Sequence, residues 1–302
     1  MSEKSLSRRK LLGGSAGLAA GAVFMSTLNP AAAAAPTVSD LAKTDPEYAR
    51  FFKYFDEEEV AKTVEPVLGK THRYFVVLAA LLGCGGKEEF EVRLPQALDA
   101  GVTPTQVREI VYQGTAYLGM GRVRGFVEIM NRVFTSRGVK LPLPDTTEQK
   151  NVERVVKGEA AQVEIFGPGM KGFSKSGPEK TVAIRRWLSA NCFGDYYVRS
   201  GLTLQERELV TFCYLAAQGD TTAQMAAHAA GNLKMGNNEE ILIAACLQFA
   251  PLLGYPRTLN ALAVVEKSRS SRQVALERLF RLPAFPLRAG SPKHFQTDCR
   301  FS

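Results

Sequence analysis

Along "TLQERELVTFCYLAAQG" the apolar residues Leu209, Phe212, Cys213 and Ala216 recur at i, i+3, i+4 and i+7, the period of a helix that buries one face. Thr203 stands just before this run and Glu206 three residues after Thr203. Together they form the pair of a capping box, which ties up free amides of a first helical turn. "TPTQVREIVYQGTAYLG" repeats the device with Thr103 as cap, Pro104 at the first helical position and Gln106 at the third. Ile110, Val111 and Tyr117 continue its apolar face. No stretch alternates apolar and polar residues between turn signals at strand spacing. The pattern predicts an all-α body over residues 36–267.

That body is written twice. Shifted by 135 residues, "GVTPTQVREIVYQGTAYLGMGR" lies on "GNNEEILIAACLQFAPLLGYPR". Gly101 meets Gly236, Gln113 meets Gln248, Leu118-Gly119 meets Leu253-Gly254, and Arg122 meets Arg257. Asn238 takes the capping place of Thr103, a chemically equivalent choice. The expected organisation is a first copy over residues 36–146 and a second over residues 147–267. The proline- and glycine-rich "LPLPDTTEQ" reads as a linker, and "FGPGMKGFSKSGPEK" as a long surface loop.

The ends of the chain have another character. Arg8-Arg9 precede an apolar run broken by Gly13, Gly14 and Ser15, and "NPAAAAAP" offers small residues for cleavage. This is the layout of a twin-arginine export signal over residues 1–35, which predicts a periplasmic or secreted protein. The broken run makes a poor anchor, and no later segment holds 18 uncharged apolar residues in a row, so no stable membrane anchor is expected.

The net charge of +8 is confined to these ends. Lys4, Arg8, Arg9 and Lys10 against Glu3 give +3; in residues 268–302, six arginines and Lys293 against Glu277 and Asp298 give +5. Residues 36–267 therefore sum to zero, whereas a nucleic-acid reader carries a basic patch on its folded body. Nucleic acid is excluded as main partner. Residues 268–302 read as a loose basic tail with one short helix near Val274–Phe280.

Five cysteines, at 84, 192, 213, 246 and 299, form no C-x-x-C pair and match neither a zinc-site nor a disulfide spacing. No structural metal and no cofactor are expected. Cys213 and Cys246 sit in apolar helical runs, where cysteine behaves as a small hydrophobe.

The second copy contains "RELVTF", then His228 within "AQMAAHAAGNLKMG", then "GNNEEI", Gln248 and "LLGYPR"; "NCFGDYYVRSGL" leads into it. This order resembles the carboxymuconolactone decarboxylase family, which also includes the alkylhydroperoxidase D-type thiol peroxidases. The resemblance implies a tandem duplicated helical bundle in which two copies interlock, with three chains forming a homotrimeric, pseudo-hexameric ring. The peroxidase branch needs cysteines seven and four residues before the histidine. Those positions are Thr221 and Gln224, and in the first copy Gly86 and Glu89, so the resemblance points away from peroxide reduction.

What remains is cofactor-free acid–base chemistry, decarboxylation or a related step, on a small unsaturated carboxylated lactone or similar acid. His228 is the candidate proton-transfer group and Glu208 its orienting partner. Arg257 is the candidate clamp for a substrate carboxylate, Gln248 a donor to a lactone carbonyl, and Tyr197 a pocket residue. Each has a plainer reading. His228 can be a hydrogen-bonded core histidine, Glu208 a partner for Arg207, and Arg257 a cap on helix carbonyls. Gln248 can bond a neighbouring backbone, and the tyrosines of "FGDYY" can line an interface. In the first copy Arg93 stands where His228 is expected, and His72 or Arg73 where Glu208 is, which predicts one active copy per chain. A thiol peroxidase, with Cys213 approaching His228, and a non-catalytic binding or scaffold protein are the alternatives.

Overall fold

The hydroxyls of Thr103 and Thr203 accept the backbone amides of Gln106 and Glu206, whose side chains accept from the cap amides in return. Both capping boxes are complete, and each contributes about 1 kcal/mol to its helix start. In the computed structural model, which describes residues 38–147 and 151–280, they open the two central helices of a wholly helical body. Among the described residues there is no strand. The export signal expected at residues 1–35 lies outside them.

The first copy runs through α1 (Val38–Thr44), α2 (Pro46–Lys53), a π-helical stretch Tyr54–Ala61, α3 (Lys62–Cys84), α4 (Lys87–Asp99), α5 (Pro104–Leu118) and α6 (Met120–Ser136). The second runs through α7 (Arg154–Phe166), α8 (Val182–Trp187), a π-helical stretch Leu188–Tyr197, α9 (Leu204–Gln218), α10 (Thr222–Met235), α11 (Glu239–Leu253) and α12 (Tyr255–Phe280). The 135-residue shift carries both ends of α5 onto those of α11. Each ends at a glycine of positive φ, 80° at Gly119 and 77° at Gly254, a conformation side chains with a Cβ avoid. The body is a tandem all-α bundle.

The two copies interlock. α3 and α9 lie against each other at the centre, α11 packs on α3, and α5 packs on α9. Phe75, Leu78, Leu82, Ile110, Phe212 and Tyr214 are fully buried where these helices meet. The run Pro46–Cys84 is long and apolar enough to cross a membrane by length and composition, but most of its apolar window is buried inside the protein. α3 is a core helix.

The proline-glycine loop after α7 folds into three 3-10 turns, Pro168–Met170, Phe173–Lys175 and Glu179–Thr181. Glu159 on α7 holds it, accepting the Gly172 amide at 2.6 Å and the Ser174 hydroxyl at 2.8 Å. α7 itself lies almost backbone to backbone on the stretch 188–197. A Cβ at Gly158 would overlap the Ser189 carbonyl, and one at Gly194 the Arg154 carbonyl. At the far end, α12 continues past residue 268, where the sequence suggested a loose tail. The short helix expected at Val274–Phe280 is the last part of this longer one.

Candidate functional site

α10 carries His228 beside Ala229 and Gly231, and the missing side chain at Gly231, where a Cβ would overlap Glu208, lets the helix approach α9 closely. His228 Nδ1 lies 2.9 Å from Glu208 Oε2. Glu208 has no solvent exposure, and its other oxygen accepts the Tyr197 hydroxyl at 3.1 Å. Tyr197 Oη is 2.7 Å from Thr211 Oγ1 and 2.6 Å from Tyr117 Oη. Behind them Gln113 donates to Thr211 Oγ1 at 2.8 Å and to the Arg207 carbonyl at 3.0 Å. Arg207 in turn donates to Gln113 Oε1 at 2.9 Å and to Glu109 Oε2 at 3.1 Å. An unbroken buried chain thus runs from Glu109 to His228.

The chain dictates which atoms carry protons. A carboxylate only accepts, so Glu208 holds the imidazole with Nδ1 protonated and leaves Nε2 as the free nitrogen. Burial, reinforced by neighbouring ionisable groups, raises the Tyr117 and Tyr197 phenols well above their ordinary range. They remain protonated donors and cannot serve as bases.

A cavity of about 530 Å³ opens in front of the imidazole. Its apolar wall includes Phe166, Phe193, Leu188, Met170 and Leu215, and its polar groups include Gln162, Gln218, Gln224 and Thr221. The rings of Phe166 and Tyr117 stand nearly perpendicular to the imidazole, with centroids 5.3 and 5.5 Å away. Phe166 comes from α7, Cys192 and Phe193 from the π-helical stretch, and Tyr117 from α5 of the other copy. The volume is within the roughly 300–1,000 Å³ of small-molecule sites.

Of the residues singled out from sequence, the structure brings together His228, Glu208 and Tyr197. It places Gln248 and Arg257 elsewhere. Gln248 Oε1 accepts from Arg73 Nε at 2.7 Å inside the first copy's counterpart of the site. The reason is the interlock: α11 packs on α3, so each copy's glutamine serves the other copy's helix; Gln113 backs the His228 site from behind Thr211, and neither glutamine lines the cavity to donate to a lactone carbonyl. Arg257 lies beside Gly219 at the C-terminal end of α9 and does not line the cavity. Its counterpart Arg122 likewise ends α3, donating to the Gly83 carbonyl at 3.1 Å. Arg122 thus caps a helix C-terminus, and Arg257 stands beside the corresponding one. Glu208 is not a partner of Arg207, which turns to Glu109 instead.

Cys213 is fully buried, its thiol pushed well up by burial and by Cys246, and it does not line the cavity. Cys192 does, and burial pushes its thiol up to about 12. Thr221 and Gln224, where a peroxidase would carry its cysteines, both lie on the cavity wall.

Sequence reading missed Tyr117, Gln113 as a member of this site, Cys192 and Gln162. One signal was present for Tyr117: the second copy has aliphatic Leu252 at the matching position.

The first copy holds a closed ionic cluster instead. Arg73 and Arg93 stand 135 residues before Glu208 and His228. Arg93 donates to Asp56 Oδ2 at 2.6 Å and to Glu89 at 2.5 Å, and Arg73 lies 3.8 Å from Asp56. A smaller cavity of about 220 Å³ adjoins, lined by Gly86, Glu89, Pro251 and Leu252. The same shift relates these residues to Thr221, Gln224, Ala116 and Tyr117, but among the described residues no imidazole lines this cavity, and its one phenol, Tyr48, comes from α2 and not from a counterpart of Tyr117.

A sequence model of the carboxymuconolactone decarboxylase family matches residues 46–132 and 183–267, one segment in each copy. No curated protein matches the chain.

Proposed function

The chain belongs to the carboxymuconolactone decarboxylase family, and from that premise we propose that it is a cofactor-free enzyme moving a proton on a small, unsaturated, lactone-like compound, in a decarboxylation or a related step. The observation that carries this reading is the 2.9 Å contact of His228 Nδ1 with buried Glu208, beside a cavity of substrate size. His228 Nε2 takes a proton from, or gives one to, a substrate carbon. Glu208 balances the imidazolium that forms while the proton is held, and Tyr197 fixes the carboxylate. The first copy supplies Tyr117 and Gln113 to this site and has no acid–base pair of its own, so each chain works with one site.

The test is His228→Ala, assayed by turnover of unsaturated lactones and by thermal melting. Turnover should fall by roughly 10²–10⁴, the usual contribution of a positioned acid–base group, with the melting temperature nearly kept. Normal turnover with a large drop in melting temperature would leave His228 a structural residue, whereas no turnover of any lactone by the unmodified chain would favour a binding or scaffold role. Thiol peroxidation is the weaker reading, because Cys192 is held protonated and Thr221 and Gln224 carry no sulfur.

Export and assembly complete the proposal. Arg8→Lys with Arg9→Lys should trap precursor in the cytoplasm; unchanged export would remove the twin-arginine assignment. Three chains form a ring, which would cover apolar surface such as Tyr48, Phe51 and Tyr54, each more than half exposed in the single chain. A stable monomer in light scattering would remove it.

A further inference from the structure

Among the described residues, no lysine, arginine, aspartate or glutamate lines the His228 cavity. Its polar groups other than the imidazole are amides, hydroxyls and the Cys192 thiol, all neutral near pH 7. His228 and Glu208 together supply no net positive charge. An imidazolium is cancelled by the carboxylate 2.9 Å away, and a neutral imidazole leaves that negative charge uncompensated. A carboxylate entering this cavity would give up its hydration with no cation to receive it.

Two amides in the same wall want partners of another kind. Gln162 is wholly buried; its Oε1 accepts the Ser189 hydroxyl at 2.6 Å, while its Nε2 has no hydrogen-bond partner among the described residues. Gln218 Oε1 is likewise buried without a partner. The wall therefore holds one unused donor and one unused acceptor among aromatic rings, and buried groups of this kind normally find a mate. A neutral molecule with a carbonyl for Gln162 and a hydroxyl for Gln218 matches them. The rings of Phe166, Phe193 and Tyr117 line the cavity around the imidazole and offer a flat, unsaturated molecule aromatic surface to pack against.

We infer, on the reading that His228 moves a proton on a substrate in this cavity, that the substrate is an uncharged, flat, unsaturated carbonyl compound without a carboxylate, held by aromatic rings and amides, so that the step is the related proton transfer and not a decarboxylation. The site thereby departs from the carboxylated compound the family resemblance suggests. Gln162 and Gln218 set its specificity.

The test is a binding titration of the full chain by saturation-transfer NMR and calorimetry, with coumarin and coumarin-3-carboxylate as probes. Coumarin should bind at least about tenfold more tightly than its carboxylate. Gln224 is exposed and stands one helical turn before His228 on the cavity wall, so Gln224→Arg has room for its guanidinium. That variant should tighten carboxylate binding by about tenfold and leave coumarin nearly unchanged. Equal or tighter binding of the carboxylate by the wild-type chain, binding of neither probe, or no gain in a normally melting Gln224→Arg overturns the inference. Because the titration needs no turnover, its failure is distinct from that of the proton-transfer reading, which His228→Ala decides.

Discussion

Gln113 of the first copy donates its amide to Thr211 of the second at 2.8 Å, across 98 residues of chain. Through it the first copy holds the buried chain behind Glu208, while its counterpart Gln248 holds Arg73. The copies are therefore not two independent halves, and neither would present its site alone.

This exchange makes the two glutamines separable by experiment. Gln113→Leu and Gln248→Leu each leave a buried arginine short of a partner and should each cost about 1–3 kcal/mol in urea or thermal unfolding. Only Gln113→Leu should also reduce turnover per folded molecule, because only it touches the residues behind His228. Equal losses of turnover in the two variants would contradict the exchange.

Gly231 on α10 faces Glu208 so closely that a Cβ there would overlap Oε2, with Ile165 on its other side. Glu208 cannot move aside without losing Tyr197 or His228. Gly231→Ala should thus lower turnover sharply, although alanine favours the helix by about 1 kcal/mol. Retained activity with raised stability would mean that the carboxylate is free to shift.

Cys192 should resist thiol chemistry. Burial pushes it up to about 12, so little thiolate exists at neutral pH. Iodoacetamide on the native protein should modify exposed Cys84 before Cys192, as read by peptide mass mapping, and hydroperoxide turnover should be absent. Rapid labelling of Cys192 together with peroxide turnover would revive the peroxidase reading.

A pH-dependent contact joins the copies at His72 and Glu206, 3.3 Å apart. The Glu206 bond raises His72 above its ordinary 6.5 against the opposing effect of burial. Burial alone would raise Glu206, but its bonds to His72 and Thr203 outweigh this and hold it below its ordinary 4.5. The His72 contribution is complete below 6.5 and is lost as pH rises through the raised value; the Glu206 contribution is complete above 4.5 and is lost as pH falls through the lowered one. The pair therefore stabilises most between those ordinary values. With the imidazole nearly half exposed, screening limits the effect to about 0.5 kcal/mol. His72→Ala should flatten the difference in melting temperature between about pH 5.5 and pH 8; an unaltered difference would assign that dependence to other groups.

The helices, their caps and the duplication were legible in the sequence because each rests on neighbours along the chain. Thr103, Thr203 and Asn238 cap the next turn of their own segments, and the period of Leu209, Phe212, Cys213 and Ala216 belongs to one helix face. His228, Glu208 and Tyr197 were legible as chemistry through the family's motif order. Which glutamine reaches which site, and whether Arg257 faces a cavity or a helix end, depends on how α5 and α11 cross between copies. No periodicity encodes that, since both glutamines stand at the same place in matching helices. The lack of a cationic side chain among the described residues of the cavity wall is likewise a tertiary fact. The body's arginines are plentiful in the sequence, but packing turns Arg73, Arg93 and Arg207 toward buried carboxylates and Arg257 toward a helix terminus. The linear chain determines which side chains are available; only the interlocked packing decides which of them meet.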